Sequence, residues 1–167
     1  MPLVVANING AYLTNPKWRK KRIKGNVVVD NVTVNHNGWN MYVYNNYSTD
    51  AATITLRNGA SLSTKANYAI YLGNSEGGPA KGNASMTLES GSSLNVKNLT
   101  LHADGEVEEV AGAKASTSVS VTDSTVNVSG TLTNNGTIAL SGTLSGTLNG
   151  TSWGNMSYYG NSTQEAF

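Results

Sequence analysis

Thr53-Ile54-Thr55-Leu56-Arg57-Asn58-Gly59-Ala60-Ser61-Leu62 reads as two short strands joined by a turn. Ile54 and Leu56 stand two apart with Thr55 between them, the period of a strand that buries one face. Asn58-Gly59 supplies residues that tolerate a left-handed backbone, so the chain changes direction there before Leu62 opens a second strand. The pattern returns along the chain. Its first pair recurs as Val27/Val29, Ile54/Leu56, Met86/Leu88 and Val119/Val121, at steps of 27, 32 and 33 residues. A second pair follows as Val32/Val34, Leu62/Thr64, Leu94/Val96 and Val126/Val128. A third follows as Met41/Val43, Ile70/Leu72 and Leu99/Leu101, with Leu132 beginning a degenerate fourth copy. Ser90-Gly91 and Asp123-Ser124 take the place of Asn58-Gly59.

A sandwich or a meander also alternates apolar and polar residues, but it does not return three strand types in fixed order about every 30 residues. Stacked triangular turns do, with about 4.8 Å between layers. The reading is therefore all-β: a single-stranded parallel β-helix of about five to six rungs, three short strands per rung. Residues 26–150 form it. Upstream, Ile8-Asn9-Gly10-Ala11-Tyr12-Leu13 resembles Leu56–Leu62 with one residue fewer, so 1–25 are expected to hold a partial rung or N-terminal cap with a basic loop. Thr137-Ile138-Ala139-Leu140, with Leu144 and Leu148, reads as a tightened rung, and 151–167 as a C-terminal cap or linker.

Asn (22), Ser (18), Thr (18) and Gly (18) crowd the 167 residues, against 38% hydrophobic residues and one Phe. Disorder brings high net charge and many prolines, whereas here the net charge is +1 and Pro numbers 3. The absence of Cys excludes a disulfide framework, thiolate metal sites and a cysteine nucleophile. No run of about 18 apolar residues offers a membrane span, and Met1–Val5 lacks the pattern of a secretory signal. Asn-x-Ser/Thr triplets such as Asn31, Asn46 and Asn98 follow from composition alone.

Thr53–Leu62, Ser118-Val119-Ser120-Val121 and Gly130-Thr131-Leu132-Thr133-Asn134-Asn135-Gly136-Thr137-Ile138 resemble the passenger repeats of bacterial surface adhesins (autotransporter passengers) and the wider pectin-lyase-like superfamily. The resemblance covers about residues 26–150. It implies a right-handed coil and a bacterial protein, secreted or displayed on the cell surface as part of a larger one. It carries over no active-site residue.

With the apolar pairs inside, the residues between them face out: Val28, Thr55, Thr87 and Ser120 on the first strand; Thr33, Ser63, Asn95 and Asn127 on the second; Tyr42, Tyr71 and Thr100 on the third. None is a carboxylate, His or Lys. Cleavage of a polysaccharide needs paired carboxylates or a calcium-bound acid cluster with a base, so no catalytic residue is assigned. The third face carries chemistry of another kind. Tyr42 and Tyr71 are one rung apart, with Tyr44 beside them, His102 in the column of Tyr44, and the amides of Asn46 and Asn74 close by. A flat aromatic strip of this kind takes the C–H face of a sugar while amides take its hydroxyls; stacked tyrosines that merely shield the sheet are the plainer reading. Trp39 and Tyr68 share inward parity and are placed at a core corner.

Asp30, Arg57, Glu89 and Thr122 follow the first pair in each rung and form a structural ladder of alternating sign. The excess length of every rung falls after the third strand, at 45–52, 73–84 and 102–117, which places the insertions on one side, where solenoids bind partners. Asp104, Glu106, Glu108 and Glu109 in the last insertion offer hard oxygen ligands that calcium could use, although an acidic run is usually a solvated one; no other cofactor and no metal residue is implied. Lys17–Lys24 holds six of the eleven basic residues. It reads as a solvated loop, and no nucleic-acid partner is expected.

Three functions follow. The first is a non-catalytic surface module that binds polysaccharide or host glycan on the third face. The second is a structural spacer in a longer stalk. The third is a β-helix polysaccharide lyase or hydrolase, or a tailspike fragment.

Overall fold

The computed structural model describes residues 3–6, 21–36, 39–74, 81–102, 105–148 and 155–158. They form a parallel β-solenoid, and among them there is no helix. The opening strands are β1 (Leu3–Ala6) and β2 (Lys21–Ile23). Three turns of three separate strands follow. They are β3 (Asn26–Asp30), β4 (Thr33–His36) and β5 (Met41–Val43); β6 (Ala52–Arg57), β7 (Ser61–Thr64) and β8 (Ala69–Leu72); β9 (Ala84–Leu88), β10 (Ser93–Val96) and β11 (Asn98–Leu101). Beyond them β12 (Thr117–Asn134) and β13 (Thr137–Leu148) run through all three faces without a break, and β14 (Asn155–Tyr158) closes the described chain.

Every strand pairing is parallel and joins equivalent positions of successive turns. On the first face the register runs Val27, Ile54, Met86, Val119, Ile138, as the apolar repeat requires. Three separate strands per rung hold for three turns only. The later turns shorten because their corners shrink: Ile138 lies 19 residues after Val119, and β13 pairs with β12 on all three faces. Pairing also extends past residues 26–150, since β1 lies on β3, β2 on β5 and β14 on β13. Through Val29, Val5 is the counterpart of Leu56; Ile8–Leu13, proposed for that role, lie outside the described residues.

One alignment of the second strand shifts. Val34, not Val32, is in register with Leu62. The first turn lacks the glycine that follows the left-handed residue in the next two turns, so Val32 stands where Ala60 does, and Asn35 rather than Thr33 shares the column of Ser63 and Asn95.

The interior is a column of aliphatic side chains. Ile54, Leu56, Ile70, Leu72, Met86, Leu88, Leu94, Leu99 and Leu101 keep under 2% of their surface. At about 1.5–3 kcal/mol for each buried aliphatic group, this column outweighs any surface contact in holding the coil. The corner between first and second faces is a repeated left-handed residue: Asn31, Asn58, Ser90 and Asp123 have φ of 50°, 55°, 56° and 45°. Asn and Asp tolerate that region, and Gly59 and Gly91 continue it at φ 74°. These are the turn residues seen in the sequence, with Asn31 added to them.

Candidate functional site

The third face places Tyr42 and Tyr71 in register, with Arg22 of β2 before them and Thr100 after. The two rings stack with centroids 5.2 Å apart and planes 9° from parallel. His102 stacks on Tyr71 at 6.4 Å and 20°. Both neighbours of the Tyr71 ring are therefore rings, and Tyr42 keeps 8% of its surface. Tyr44 keeps 3%. The strip exists, but it is not the open platform that the alternation implied. Stacked rings cover one another, and β2, contributed by the basic segment, extends the sheet beneath Tyr42. Burial above all, and Tyr42 beside it, push the Tyr71 phenol above its ordinary pKa, so it stays protonated at neutral pH.

An open pair of stacked aromatic rings is at the corner that precedes this face, while Tyr47, 64% exposed, stands alone at the other. Trp39 is 51% exposed and Tyr68 half-buried, their rings 6.5 Å apart and 25° from parallel. This corrects their placement in the core: parity governs residues within a strand, and both residues lie in turns. The corner is held by its backbone. His36 Nε2–H donates to the Trp39 carbonyl at 2.6 Å, the Lys65 amide to the His36 carbonyl at 3.1 Å, and the Tyr68 amide to the Lys65 carbonyl at 2.9 Å. Asn40 Oδ1 accepts the Ala69 amide of the next turn at 2.8 Å. Exposed Asn67 and Lys65 flank the rings.

The corner after the third face is built up by the three insertions, which pack on one another. Asn45 and Asn83 exchange backbone hydrogen bonds at 2.9 and 3.0 Å. The third insertion reaches across both earlier ones: the Glu108 amide donates to the Lys81 carbonyl at 3.1 Å and the Glu109 amide to the Asn46 carbonyl at 3.0 Å. Asn83, 4% exposed, fastens all three, its Nδ2 donating to the Thr49 carbonyl and its Oδ1 accepting the Ser116 amide, each at 2.8 Å. Gly82 beside it has no room for a Cβ, which would meet the Asn45 carbonyl. Asn46, expected among the ligand-binding residues, is 4% exposed and committed within the chain, to Lys24 at 3.1 Å and to Glu108 at 2.7 Å. Asn74 bridges to Lys81 through its backbone, and its Oδ1 is buried without a hydrogen-bond partner, as is Thr117 Oγ1.

The acidic insertion is spent on structure as well. Glu106 Oε2 accepts the Gly112 amide at 3.2 Å and Glu108 accepts from Asn46, while Asp104 lies outside the described residues. Among the described residues no three acidic or imidazole groups converge on one point. The ladder is present at its first step: Arg57 Nε and Nη2 donate to Asp30 Oδ2 at 2.9 and 2.7 Å, and Asn58 Nδ2 to Asp30 Oδ1 at 2.7 Å. Both of these Arg57 bonds go to Asp30 rather than to Glu89 on the other side. Those bonds, with Asn58 the largest, hold the Asp30 carboxyl below its usual range.

The second face is a ladder of another sort, with Ser93 bonded to Ser61 at 3.0 Å and Asn127 to Asn95 at 2.8 Å. No helix among the described residues is long and apolar enough to cross a membrane. Comparison with family models, with curated proteins and with solved structures returns no match.

Proposed function

We propose that this chain is a non-catalytic, glycan-binding module of a bacterial surface or secreted protein, and that Trp39 and Tyr68 are its platform. The observation that carries the reading is that aromatic pair, exposed on a corner whose backbone is pinned by hydrogen bonds and rimmed by Asn40 and Asn67. Two rings held on a rigid scaffold offer apolar area to a pyranose face with little ordering cost, and neighbouring amides match sugar hydroxyls. The acidic groups with assigned partners support the non-catalytic part, since Asp30 is tied to Arg57, Glu106 to Gly112 and Glu108 to Asn46.

The test is a screen of polysaccharides and glycans with the wild type, Trp39→Ala, Tyr68→Ala and Tyr42→Phe, with product release followed in the same wells. The expected result is retention lost by about tenfold or more in each corner variant, kept in Tyr42→Phe, with no release of reducing or unsaturated sugar. Product release would make this an enzyme. Silence across the panel favours the spacer, a reading that the self-satisfied Ser61–Ser93 and Asn95–Asn127 ladder supports.

A further inference from the structure

Six basic residues between Lys17 and Lys24 have no part in the reading above, yet the last of them makes two side-chain hydrogen bonds and lies over two tyrosine rings. β2 brings it there. Arg22 and Ile23 are in register with Tyr42 and Val43, and the Tyr44 amide donates to the Ile23 carbonyl at 3.0 Å, so Lys24 leaves the strand beside Tyr44. Its ammonium lies 5.0 Å from the centroid of the Tyr44 ring and 4.4 Å from that of Tyr47. It donates to Asn46 Oδ1 at 3.1 Å and to the Tyr47 hydroxyl at 3.4 Å.

Each wall of this enclosure is set by something other than Lys24. Tyr44 is buried, 3% exposed. Asn46 is oriented from behind: its Nδ2 donates to Glu108 Oε2 at 2.7 Å, which turns Oδ1 towards the ammonium, and its carbonyl accepts the Glu109 amide. The Tyr47 amide donates to Asn45 Oδ1 at 3.1 Å, which fixes the turn that carries the ring. Two π faces, an oriented amide oxygen, a phenol oxygen and a carboxylate one residue behind make a receptor for a cation that has hydrogens to give. Tyr47, 64% exposed, is the side of the cage that faces water.

The geometry points to a binding site for a primary alkylammonium, walled by Tyr44, Tyr47 and Asn46 with Glu108 behind, which the chain fills with its own Lys24 and which accepts the same group from another molecule when Lys24 moves out. The site selects by hydrogen bonding as well as charge. A primary ammonium satisfies Asn46 Oδ1 and the Tyr47 hydroxyl, whereas a quaternary one meets only the rings. Lys24 is tethered and competes at a high effective concentration, so the free chain is closed to weak competitors and Lys24→Ala is open to them.

The experiment is thermal and chemical unfolding of wild type and Lys24→Ala in n-butylammonium chloride, against sodium chloride, n-butanol and tetramethylammonium chloride. In Lys24→Ala, n-butylammonium at about ten times its dissociation constant is expected to raise the folding equilibrium constant about tenfold; tetramethylammonium should do less, and n-butanol should match sodium chloride. The gain should be small in the wild type and absent in Lys24→Ala/Tyr47→Leu. No gain in Lys24→Ala, an equal gain in the wild type, or a gain that survives Tyr47→Leu would each overturn the proposal. Nα-acetyl-lysine amide and spermidine in the same titration tell a protein lysine from a free polyamine as the outside source.

A readout in the wild type does not depend on how Lys24→Ala folds. The Hε protons of Lys24 should resonate upfield of other lysines, under the two rings, and move towards the free-lysine position as n-butylammonium is raised. Hε protons that start at the free position, or that do not move even when n-butylammonium is raised far above the concentration that saturates Lys24→Ala, would overturn it equally.

Discussion

Two corners flank the third face and are made from the same materials, Asn, Tyr and turn backbone, with opposite results. The corner after the face holds insertions of three turns locked around Asn83, and its buried amides, Asn46 and Asn83, are committed inside the chain. The corner before it has short turns, and it leaves Trp39 half in water over Tyr68. Insertions are where a solenoid is expected to bind. Here they brace one another and close their ammonium site with the chain's own Lys24, and the aromatic pair left open in the free chain is on the plainer corner. Length of loop and availability for binding are separate properties, and hydrogen-bond accounting tells them apart.

The contrast should be broken most severely at Gly82. A methyl group there collides with the Asn45 carbonyl, a backbone atom that is itself hydrogen-bonded to Asn83. Gly82→Ala is expected to cost about 3 kcal/mol, at the top of the range for overpacking, measured as a lower urea midpoint with the denaturant slope unchanged. A cost under about 0.5 kcal/mol would mean that the insertions are not braced.

Next comes the covered pair of rings against the open one. Tyr42, at 8% exposure and stacked on Tyr71, should behave as core: about 3 kcal/mol is lost in Tyr42→Ala. Tyr42→Phe should cost under about 0.5 kcal/mol, because the Asn40 contact to its hydroxyl is long at 3.5 Å. Trp39→Ala should cost less than about 1 kcal/mol despite removing the larger ring. If Trp39→Ala proves the more damaging, the Trp39 corner is a structural element and the platform reading fails.

How much of this was legible follows from where each residue sits. The three-pair repeat gave the parallel solenoid, its register on the first and third faces and the side on which insertions lie, because burial imposes period two wherever a strand runs. The same rule misplaced Trp39 and Tyr68, which stand in turns where parity has no meaning. It found the Tyr42–Tyr71 stack but not its burial, since the strand that completes the sheet beneath Tyr42 comes from a segment whose charge argued for a solvated loop. Asn46 was marked for a ligand and instead joins Lys24 to Glu108, a partner 62 residues away. No local pattern encodes a contact of that range. Corner shortening after β11 was visible as Gly-Thr-Leu steps, yet three-strand turns becoming one continuous strand depends on corners that the pairs do not describe.

The smallest expected effect belongs to the third corner, which serves as a reference for the other two. Asp30 accepts from Asn58 and Arg57, and those bonds favour its charged form, so its folded pKa lies below the ordinary carboxylate value of about 3.9. A depressed folded pKa means that the unfolded chain binds the proton more readily. The contribution is therefore complete above the unfolded value and disappears as pH falls through the folded one. In carbon-detected titration the Asp30 carboxyl should titrate below the ordinary aspartate value. Asn58→Ala and Arg57→Ala should each move it upward, because each removes an interaction that favours the charged form, and in either variant stability near neutral pH should fall slightly while stability in strong acid stays with the wild type. The corner's left-handed residue is the complication in Asn58→Ala, since alanine tolerates φ 55° poorly. Asn58→Gly removes the side-chain bond without that strain and separates the two effects. An Asp30 pKa that stays low in Asn58→Gly would show that the first bond of the ladder is the Arg57 pair alone.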